Sequence, residues 1–275
     1  MGDRSLIEWT DATWNPVTGC TPVSDGCRNC YAKRMIKRFP HLHGMDVLPS
    51  HMGYGPGDAD PYPFSRISFH PGRLDQPLRW KKPRRIFGCS MGDLFHEDVH
   101  PGNLKDIWLT MMLAKQHIFM VLTKRPENIA AKLLTTANKL NSDSVRECNA
   151  MWPSNIWLGV TAENQETADQ RIPILLQTPA AKRFVSVEPM LGPVDLRPFL
   201  PHEFNREPHC PWCEGCIPNR GDWDGWKETR EGKHGPFLDW VICGGESGPG
   251  ARPMSGDGSA VLLQAMGGMG VARTS

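Results

Sequence analysis

The chain has 275 residues and is 39% hydrophobic, which is enough for a sizeable core in one large domain or two modest ones and excludes global disorder. Its 27 glycines and 25 prolines exclude a bundle of long helices and predict many loops. The formal net charge of +1 excludes a strong overall attraction to nucleic acid or membranes, so any such contact must be local.

Six short apolar runs, several of them rich in β-branched residues, predict strands buried on both faces. Four stretches with apolar residues three and four apart predict helices. Strands that alternate with helices are typical of a parallel sheet with crossover helices, either open or closed as a barrel. The predicted strands span residues 14–18, 85–89, 118–122, 156–160, 183–187 and 240–243, and the predicted helices span 28–39, 104–115, 126–140 and 165–177.

Three segments depart from this alternation. Residues 41–79 are rich in Gly, Pro, His and Asp and predict a long loop, and residues 198–235 predict a small knuckle held by something other than a core. Residues 255–275 turn to Gly, Met and other small residues, so we expect at most one short helix there and otherwise a mobile end. Such a tail would leave the strand at 240–243 with an unprotected edge.

The cellular compartment bears on how the cysteines are interpreted. The amino-terminal segment carries acidic residues and no apolar stretch, and no run of about 18 apolar residues occurs, so we expect a cytoplasmic protein without a signal peptide or membrane span. Nine cysteines, an odd number, in a reducing compartment favour metal ligands, core residues or catalytic thiols over disulfides.

Three of these cysteines, Cys20, Cys27 and Cys30, follow the first predicted strand with the spacing Cys-x6-Cys-x2-Cys. Three thiolates this close can hold three irons of a cubane and leave the fourth iron open for a small ligand. With His41 or His43 as a fourth ligand they could instead hold a structural zinc. The remaining alternative is three core or isolated cysteines.

A second cysteine group lies in the knuckle at 198–235. His209, Cys210, Cys213 and Cys216 have the spacing of metal ligands and predict a second metal, either zinc or an auxiliary cluster. The alternative is a Trp-rich loop packed on reduced cysteines.

Charged residues follow most of the predicted strands. Because the carboxyl ends of parallel strands meet at one edge, we expect these side chains to share one cavity, where they could bind a ligand or act as acids and bases. The alternative is that each caps a helix or is solvated. The strand-end residues are Asp93, Lys124, Glu163, Glu188 and Glu246.

Two basic segments are candidate contacts with nucleic acid. One runs from Arg79 to Arg85, with Trp80 as a stacking face, and the other is the basic stretch that begins at Arg28.

Seven blocks of the sequence carry a family resemblance: WNPVTGC at 14–20, GCRNCYA at 26–32, SMGDLFHE at 90–97, LTKRPE at 122–127, WLGVTAE at 157–163, SVEPMLG at 186–192 and GGESGPGARPM at 244–254. Together they resemble an uncharacterised three-cysteine family of phage and bacterial proteins (Gp-thirty-seven/Gp-sixty-eight-like). That family is related to radical S-adenosylmethionine (SAM) enzymes and, more distantly, to spore photoproduct lyase. A phage-encoded member would act in the bacterial host cytoplasm.

This resemblance implies one domain over residues 1–254, an α/β fold that forms a partial, six-strand βα TIM-like barrel of the radical SAM type with loop insertions. It implies a [4Fe–4S] cluster on Cys20, Cys27 and Cys30, with SAM on the open iron and an electron donor as partner. Reductive cleavage of SAM would then start hydrogen abstraction from an unidentified substrate, with nucleic acid as one candidate. The spacing departs from the usual radical SAM motif, which has three residues between the first two cysteines.

The positions of the residues around the cysteines, mostly at strand ends, suggest their roles in such a site. Asp93, Lys124 and Glu188 are the candidate catalytic groups. The alternative function is a non-catalytic binding protein, stabilised by zinc or an iron–sulfur cluster, with nucleic acid as the candidate partner. The candidate cofactor-binding residues are Tyr31, Asp93, Thr123, Lys124, Glu163, Glu188 and Glu246.

Overall fold

Short buried strands form a parallel sheet whose spatial order is the same as their order along the chain. The structure is a computed structural model and describes residues 5–39, 41, 64–139, 152–200, 237–246, 250–253 and 271–274. The strands of this sheet are, from one edge to the other, β1 (Ala12–Trp14), β4 (Arg85–Gly88), β5 (Ile118–Thr123), β6 (Ile156–Thr161), β7 (Lys182–Val187), β8 (Trp240–Gly244) and β9 (Val271–Thr274). A separate antiparallel ribbon pairs β2 (Val17–Thr18) with β3 (Ser68–Phe69).

The helices lie in the crossovers between these strands. Because the strand order never reverses, and parallel crossovers are right-handed, the helices lie on one face and the sheet curls toward the other. The result is a curled half-barrel rather than a doubly wound sheet. The helices are α1 (Tyr31–Arg38), α2 (Gln76–Arg79), α3 (Pro101–Leu113), α4 (Ile129–Lys139) and α5 (Gln165–Gln177).

Local sequence explains where α5 begins. The Asn164 side chain accepts a hydrogen bond from the Thr167 backbone N–H at 2.9 Å, and the Thr167 hydroxyl oxygen accepts one from the Asn164 N–H at 3.2 Å. This reciprocal capping satisfies two donors at the helix start that have no partner within the helix. The cap therefore fixes the loop between β6 and α5, which carries Glu163.

Alternating residues along the strands build two packed layers. Outward residues such as Val185 pack beneath the helices, whereas inward residues such as Phe184 form a second, largely aromatic cluster on the concave side. In that cluster the Trp9 and Phe87 rings have centroids 4.7 Å apart. Gly159 makes room for it, because a side chain there would overlap the Phe184 ring. The concave side of the half-barrel therefore has a solid apolar floor.

The six predicted strands all occur as parallel neighbours, but the first one is displaced. Residues 14–18 are not one strand: β1 ends at Trp14, and Val17–Thr18 leave the sheet to pair with β3. The break falls at Asn15-Pro16, because proline has no N–H for a ladder and the Asn15 side chain accepts from the Met91 backbone N–H at 2.8 Å. The predicted helix at 28–39 begins only at Tyr31, after a 3-10 turn at Asp25–Cys27.

Within residues 255–275 the sequence predicts at most one short helix and otherwise a mobile end, but the structure has a strand there. Val271–Thr274 form a parallel strand along β8, with Val241 opposite Val271, so that edge of β8 is covered. The four residues of this strand have no alternating apolar pattern that would predict a strand. They pair because the exposed edge of β8 offers backbone hydrogen-bonding groups. The first insertion likewise contains β3 and α2 rather than only a loop.

Some sequence-based predictions lie outside the described residues, among them His43 and the second metal group, His209, Cys210, Cys213 and Cys216. In the part of the chain that is described, no helix is long and apolar enough to cross a membrane.

Candidate functional site

A cavity of about 400 Å³ opens at the carboxyl end of the sheet. Its floor is apolar and includes Trp9, Phe87 and Leu122 from the concave cluster. Its wall carries both thiols and charged groups, as expected where parallel strands end. Cys20, Cys27, Cys30, Tyr31, Asp93, Thr123, Lys124, Glu188 and Glu246 all line it, whereas Glu163 does not.

The loop that carries the three cysteines is held in place by backbone contacts. The Cys20 N–H donates to the Phe64 carbonyl at 2.9 Å, and the Cys27 N–H closes the 3-10 turn on the Ser24 carbonyl at 3.0 Å. Cys30 directly precedes α1. All three thiols are free and half-buried, and all three face the same cavity.

The cysteines differ in how easily they ionise. Burial opposes ionisation of Cys27, but the charge of Lys124 and hydrogen bonds at Val23 and Ser24 outweigh it and hold the pKa of this thiol below its ordinary value. Burial and the Asp93 charge instead raise the pKa of Cys20 to about 11, although Arg125 acts in the opposite direction. A metal that replaces the proton is what would hold Cys20 as a thiolate near neutral pH.

These residues fit an iron–sulfur cluster as ligands. The donor set is three soft cysteine sulfurs, with the cation Arg125 beside Cys20 and the cation Lys124 near Cys27. The adjoining cavity leaves room for a cluster and for a ligand on its open iron. A cubane spreads its cysteines over different irons, so they need not meet at one point. Within the described residues, no group of three or more His, Cys, Asp or Glu side chains has the arrangement that would hold a single metal ion.

Asp93 is a buried carboxylate, and both of its oxygens accept hydrogen bonds from the protein. One of its oxygens accepts from the Phe95 N–H at 3.0 Å and the Thr123 hydroxyl at 2.8 Å. The other accepts from the Lys124 N–H at 3.1 Å and the Arg125 guanidinium at 3.4 Å. Because four protein donors occupy this carboxylate, it ties the loop after β4 to the end of β5.

Glu163 lies beneath the cysteine loop and is 1% exposed. It accepts hydrogen bonds from Ser24 at 2.7 Å, Arg171 at 2.9 Å and Lys124. Burial opposes its ionisation, but the charges of Lys124 and Arg171 prevail and hold the pKa of Glu163 below its ordinary value. A Cβ added at Gly26 would lie 2.5 Å from the Glu163 Cγ, so the loop reaches this carboxylate only because residue 26 is a glycine.

Glu246 belongs to a polar clasp, which we define as Asp25, Asn29, Glu246 and Arg252. The Asn29 amide donates to Glu246 at 2.8 Å, and Arg252 donates to Glu246 at 2.7 Å and to the Asp25 carbonyl at 3.0 Å. Hydrogen bonds from Arg252, opposed by burial and helped by Asn29, lower the pKa of Glu246 to about 2. The clasp joins the segment after β8 to the cysteine loop at the rim of the cavity.

The remaining predicted residues line the wall. Tyr31 is 42% exposed, but its hydroxyl donates to the Ser90 carbonyl at 2.7 Å, and desolvation of that hydroxyl raises the pKa of Tyr31 to about 12. Thr123 donates to Asp93. Glu188 directly follows β7, its peptide bond to Pro189 is cis, and it is half-buried at the cavity.

The basic segment from Arg79 to Arg85 lies elsewhere. Arg85 is the first residue of β4, so this segment is at the amino end of the sheet, opposite the cavity. Trp80 is 8% exposed, and the Arg84 guanidinium lies 4.7 Å from its ring centroid, so the expected stacking face is already covered. Arg79 is paired with Asp75 at 3.3 Å, and Arg85 is paired with Asp11 at 3.5 Å.

Several functional residues were not singled out from the sequence. Arg125, Arg171 and Arg252 each contact a cysteine-loop residue or a carboxylate that does, and Ser24 and Asn29 complete these contacts. Arg125 stands directly after Lys124 at a strand end, which is the signal that could have identified it. Arg252 lies in the block at 244–254, but neither Arg252 nor Arg171 stands at a strand end, so the pattern of strand-end charges does not identify them.

The fold and the site define an α/β protein with a curled half-barrel and a thiol-lined cavity at its carboxyl end. Residues 4–272 match the family described as Protein of unknown function (DUF5131), and the chain belongs to this family. The match includes most of residues 255–275, the Gly- and Met-rich tail. No curated protein and no solved structure matches the chain.

Proposed function

We propose that the protein is an iron–sulfur enzyme of the radical SAM type that abstracts hydrogen from an unidentified substrate. The observation that carries this proposal is the position of Cys20, Cys27 and Cys30, which line one cavity at the carboxyl end of a curled half-barrel. A barrel places its chemistry at that end.

Cys20, Cys27 and Cys30 are the residues that would hold a [4Fe–4S] cluster. When bound and reduced by an electron donor, it would supply the electron that cleaves SAM, held on the open iron, to methionine and a 5′-deoxyadenosyl radical. Trp9 and Phe87 form an apolar floor that would disfavour water beside a bound cluster and SAM.

The charged residues divide into two groups in this proposal. Asp93, Glu163 and Glu246 are positioning residues, because protein donors occupy their carboxylates. Asp93 ties the loop after β4 to the end of β5, and Glu163 and Glu246 hold the cysteine loop. Glu188 and Lys124, the latter while paired with Glu163, line the cavity with opposite charges that suit the ammonium and carboxylate groups of an amino-acid moiety. Tyr31 and Thr123 also line the cavity.

Anaerobic reconstitution with iron and sulfide tests this proposal. We expect a brown protein that forms 5′-deoxyadenosine from SAM in the presence of dithionite. Cys20→Ala, Cys27→Ala and Cys30→Ala should each abolish this product, whereas Cys243→Ala, a buried cysteine outside the cavity, should retain it. A triple variant that keeps its full iron would refute the assignment, and a colourless wild type that contains zinc would favour the zinc-stabilised alternative.

A further inference from the structure

Arg125 is one of the most deeply buried charged side chains beside the cavity, with 1% of its surface exposed. Its Nη1 donates to the Cys20 sulfur at 3.3 Å. Its Nη2 donates to the Thr21 carbonyl at 2.8 Å and to the Thr21 hydroxyl oxygen at 2.7 Å. One guanidinium therefore holds both the first cysteine and the residue that follows it.

The surroundings keep this cation in place. Arg125 Nη1 also lies 3.4 Å from Asp93, and its Nε donates to Glu97 at 3.2 Å. His96 Nδ1 accepts from the Asp98 N–H, so the neutral ring carries its proton on Nε2 and donates to the Thr21 hydroxyl at 2.9 Å. The fork of Arg125 is thus held toward Cys20 by partners on two loops, the cysteine loop and the loop after β4.

We infer that Arg125 is a positioning residue that sets the reduction potential of a cluster bound at Cys20. This inference rests on the proposed function. Reduction adds a negative charge to the cluster, and a hydrogen bond from a buried cation to a ligating sulfur stabilises that charge. Arg125 therefore raises the potential and makes the cluster easier to reduce.

The shape of the side chain matters as well as its charge. The planar guanidinium reaches the Cys20 sulfur and both Thr21 oxygens at once, with donors in fixed directions. A lysine ammonium at this position keeps the charge but cannot span all of these acceptors. Arg125→Lys therefore removes the directed hydrogen bond with little change in net charge.

The test is a redox titration of the reconstituted full chain, in which the reduced cluster is measured by electron paramagnetic resonance. We expect Arg125→Lys to shift the one-electron reduction equilibrium at least tenfold toward the oxidised form, which is about 59 mV. Arg183→Lys is the matched control, since Arg183 is half-buried near the start of β7, at the opposite end of the sheet, and donates to the Thr178 carbonyl rather than to a cysteine. It should leave the potential unchanged.

A second variant acts in the opposite direction and keeps the inference testable even if Arg125→Lys fails to hold a cluster. Glu97, whose side chain is 58% exposed, partly neutralises Arg125. Glu97→Gln should therefore shift the equilibrium at least twofold toward the reduced form, about 18 mV for a one-electron couple. Asp75→Asn, which removes an equally exposed carboxylate from an arginine pair on α2, is its control.

The outcomes separate the two proposals. A wild type that holds no cluster overturns the proposed function together with the inference. A wild type with a cluster, and variants that do not shift the potential beyond their controls, overturns the role of Arg125 alone. Shifts of opposite sign for Arg125→Lys and Glu97→Gln support it, because a merely structural role predicts no such reversal. If Arg125→Lys holds no cluster, the sign of the Glu97→Gln shift decides.

Discussion

Replacing Glu163 with Gln should destabilise the fold, although Glu163 lies outside the cavity wall. The substitution removes a carboxylate that is 1% exposed and leaves Arg171 and Lys124, whose side chains are 8% and 21% exposed, without their shared counter-charge. Breaking a buried ion pair by removing one partner costs ~3–5 kcal/mol. Because the Gln carbonyl can still accept from Ser24 or Arg171, we expect a loss near the lower end, about 3 kcal/mol.

Urea unfolding of the metal-free protein near neutral pH, followed by Trp fluorescence, measures this loss. A cost of that size should lower the melting temperature by roughly 6–12 °C. Glu166→Gln is the matched control, because Glu166 lies in the first turn of the same helix and is exposed; it should cost less than about 1 kcal/mol. Equal losses in the two variants would refute a structural role for Glu163 and would leave it available as a cofactor ligand.

The pH dependence gives a second check on the same carboxylate. The pKa of Glu163 is held below its ordinary value of 4.5 in the folded protein, because Lys124 and Arg171 outweigh burial. Its contribution to stability is therefore fully present above that ordinary value and is lost as the pH falls through the lower, folded pKa. The difference in unfolding free energy between wild type and Glu163→Gln should shrink on acidification, and a difference that grows would contradict this sign.

Three further substitutions test other parts of the structure. Gly26→Ala should reduce iron incorporation and stability because the added methyl meets a buried carboxylate, whereas Gly72→Ala, with nothing within 4 Å of the new Cβ, should change neither. Gly159→Ala should cost ~1–3 kcal/mol or more in urea unfolding because it overlaps a buried ring, but Gly88→Ala, whose nearest contact is 3.7 Å, should be tolerated better. Arg252→Gln should open the clasp and speed hydrogen exchange in the cysteine loop; unchanged exchange would show that the clasp does not hold that loop.

The sequence determined much of the frame of this protein. Apolar, β-branched runs separated by helical spacing predict the six parallel strands, because a strand buried on both faces must be apolar throughout. The same logic places Asp93, Lys124 and Glu188 together, since parallel strands end at a common edge. Cys20, Cys27 and Cys30 are close in the chain, so their shared cavity follows from local spacing.

The tertiary structure decided what the charged side chains do. Asp93 and Glu163 were predicted to bind a cofactor, and the structure shows that their oxygens accept hydrogen bonds from donors such as Arg125 and Arg171. A strand-end position restricts where a side chain begins but not which long, flexible partner reaches it, because that depends on how neighbouring loops fold across the sheet. The sequence alone therefore could not separate a ligand from a structural counter-charge.

Strand pairing at the edge and the position of the basic segment were also decided only in three dimensions. Val271–Thr274 has no pattern of its own and becomes a strand because the edge of β8 supplies the hydrogen bonds. The segment from Arg79 to Arg85 carries enough charge to suggest a contact with nucleic acid, but the direction of β4 puts it at the opposite end from the thiols. Local composition determines which residues can form strands, pairs and sites, and the order and direction of the strands determine which of them meet.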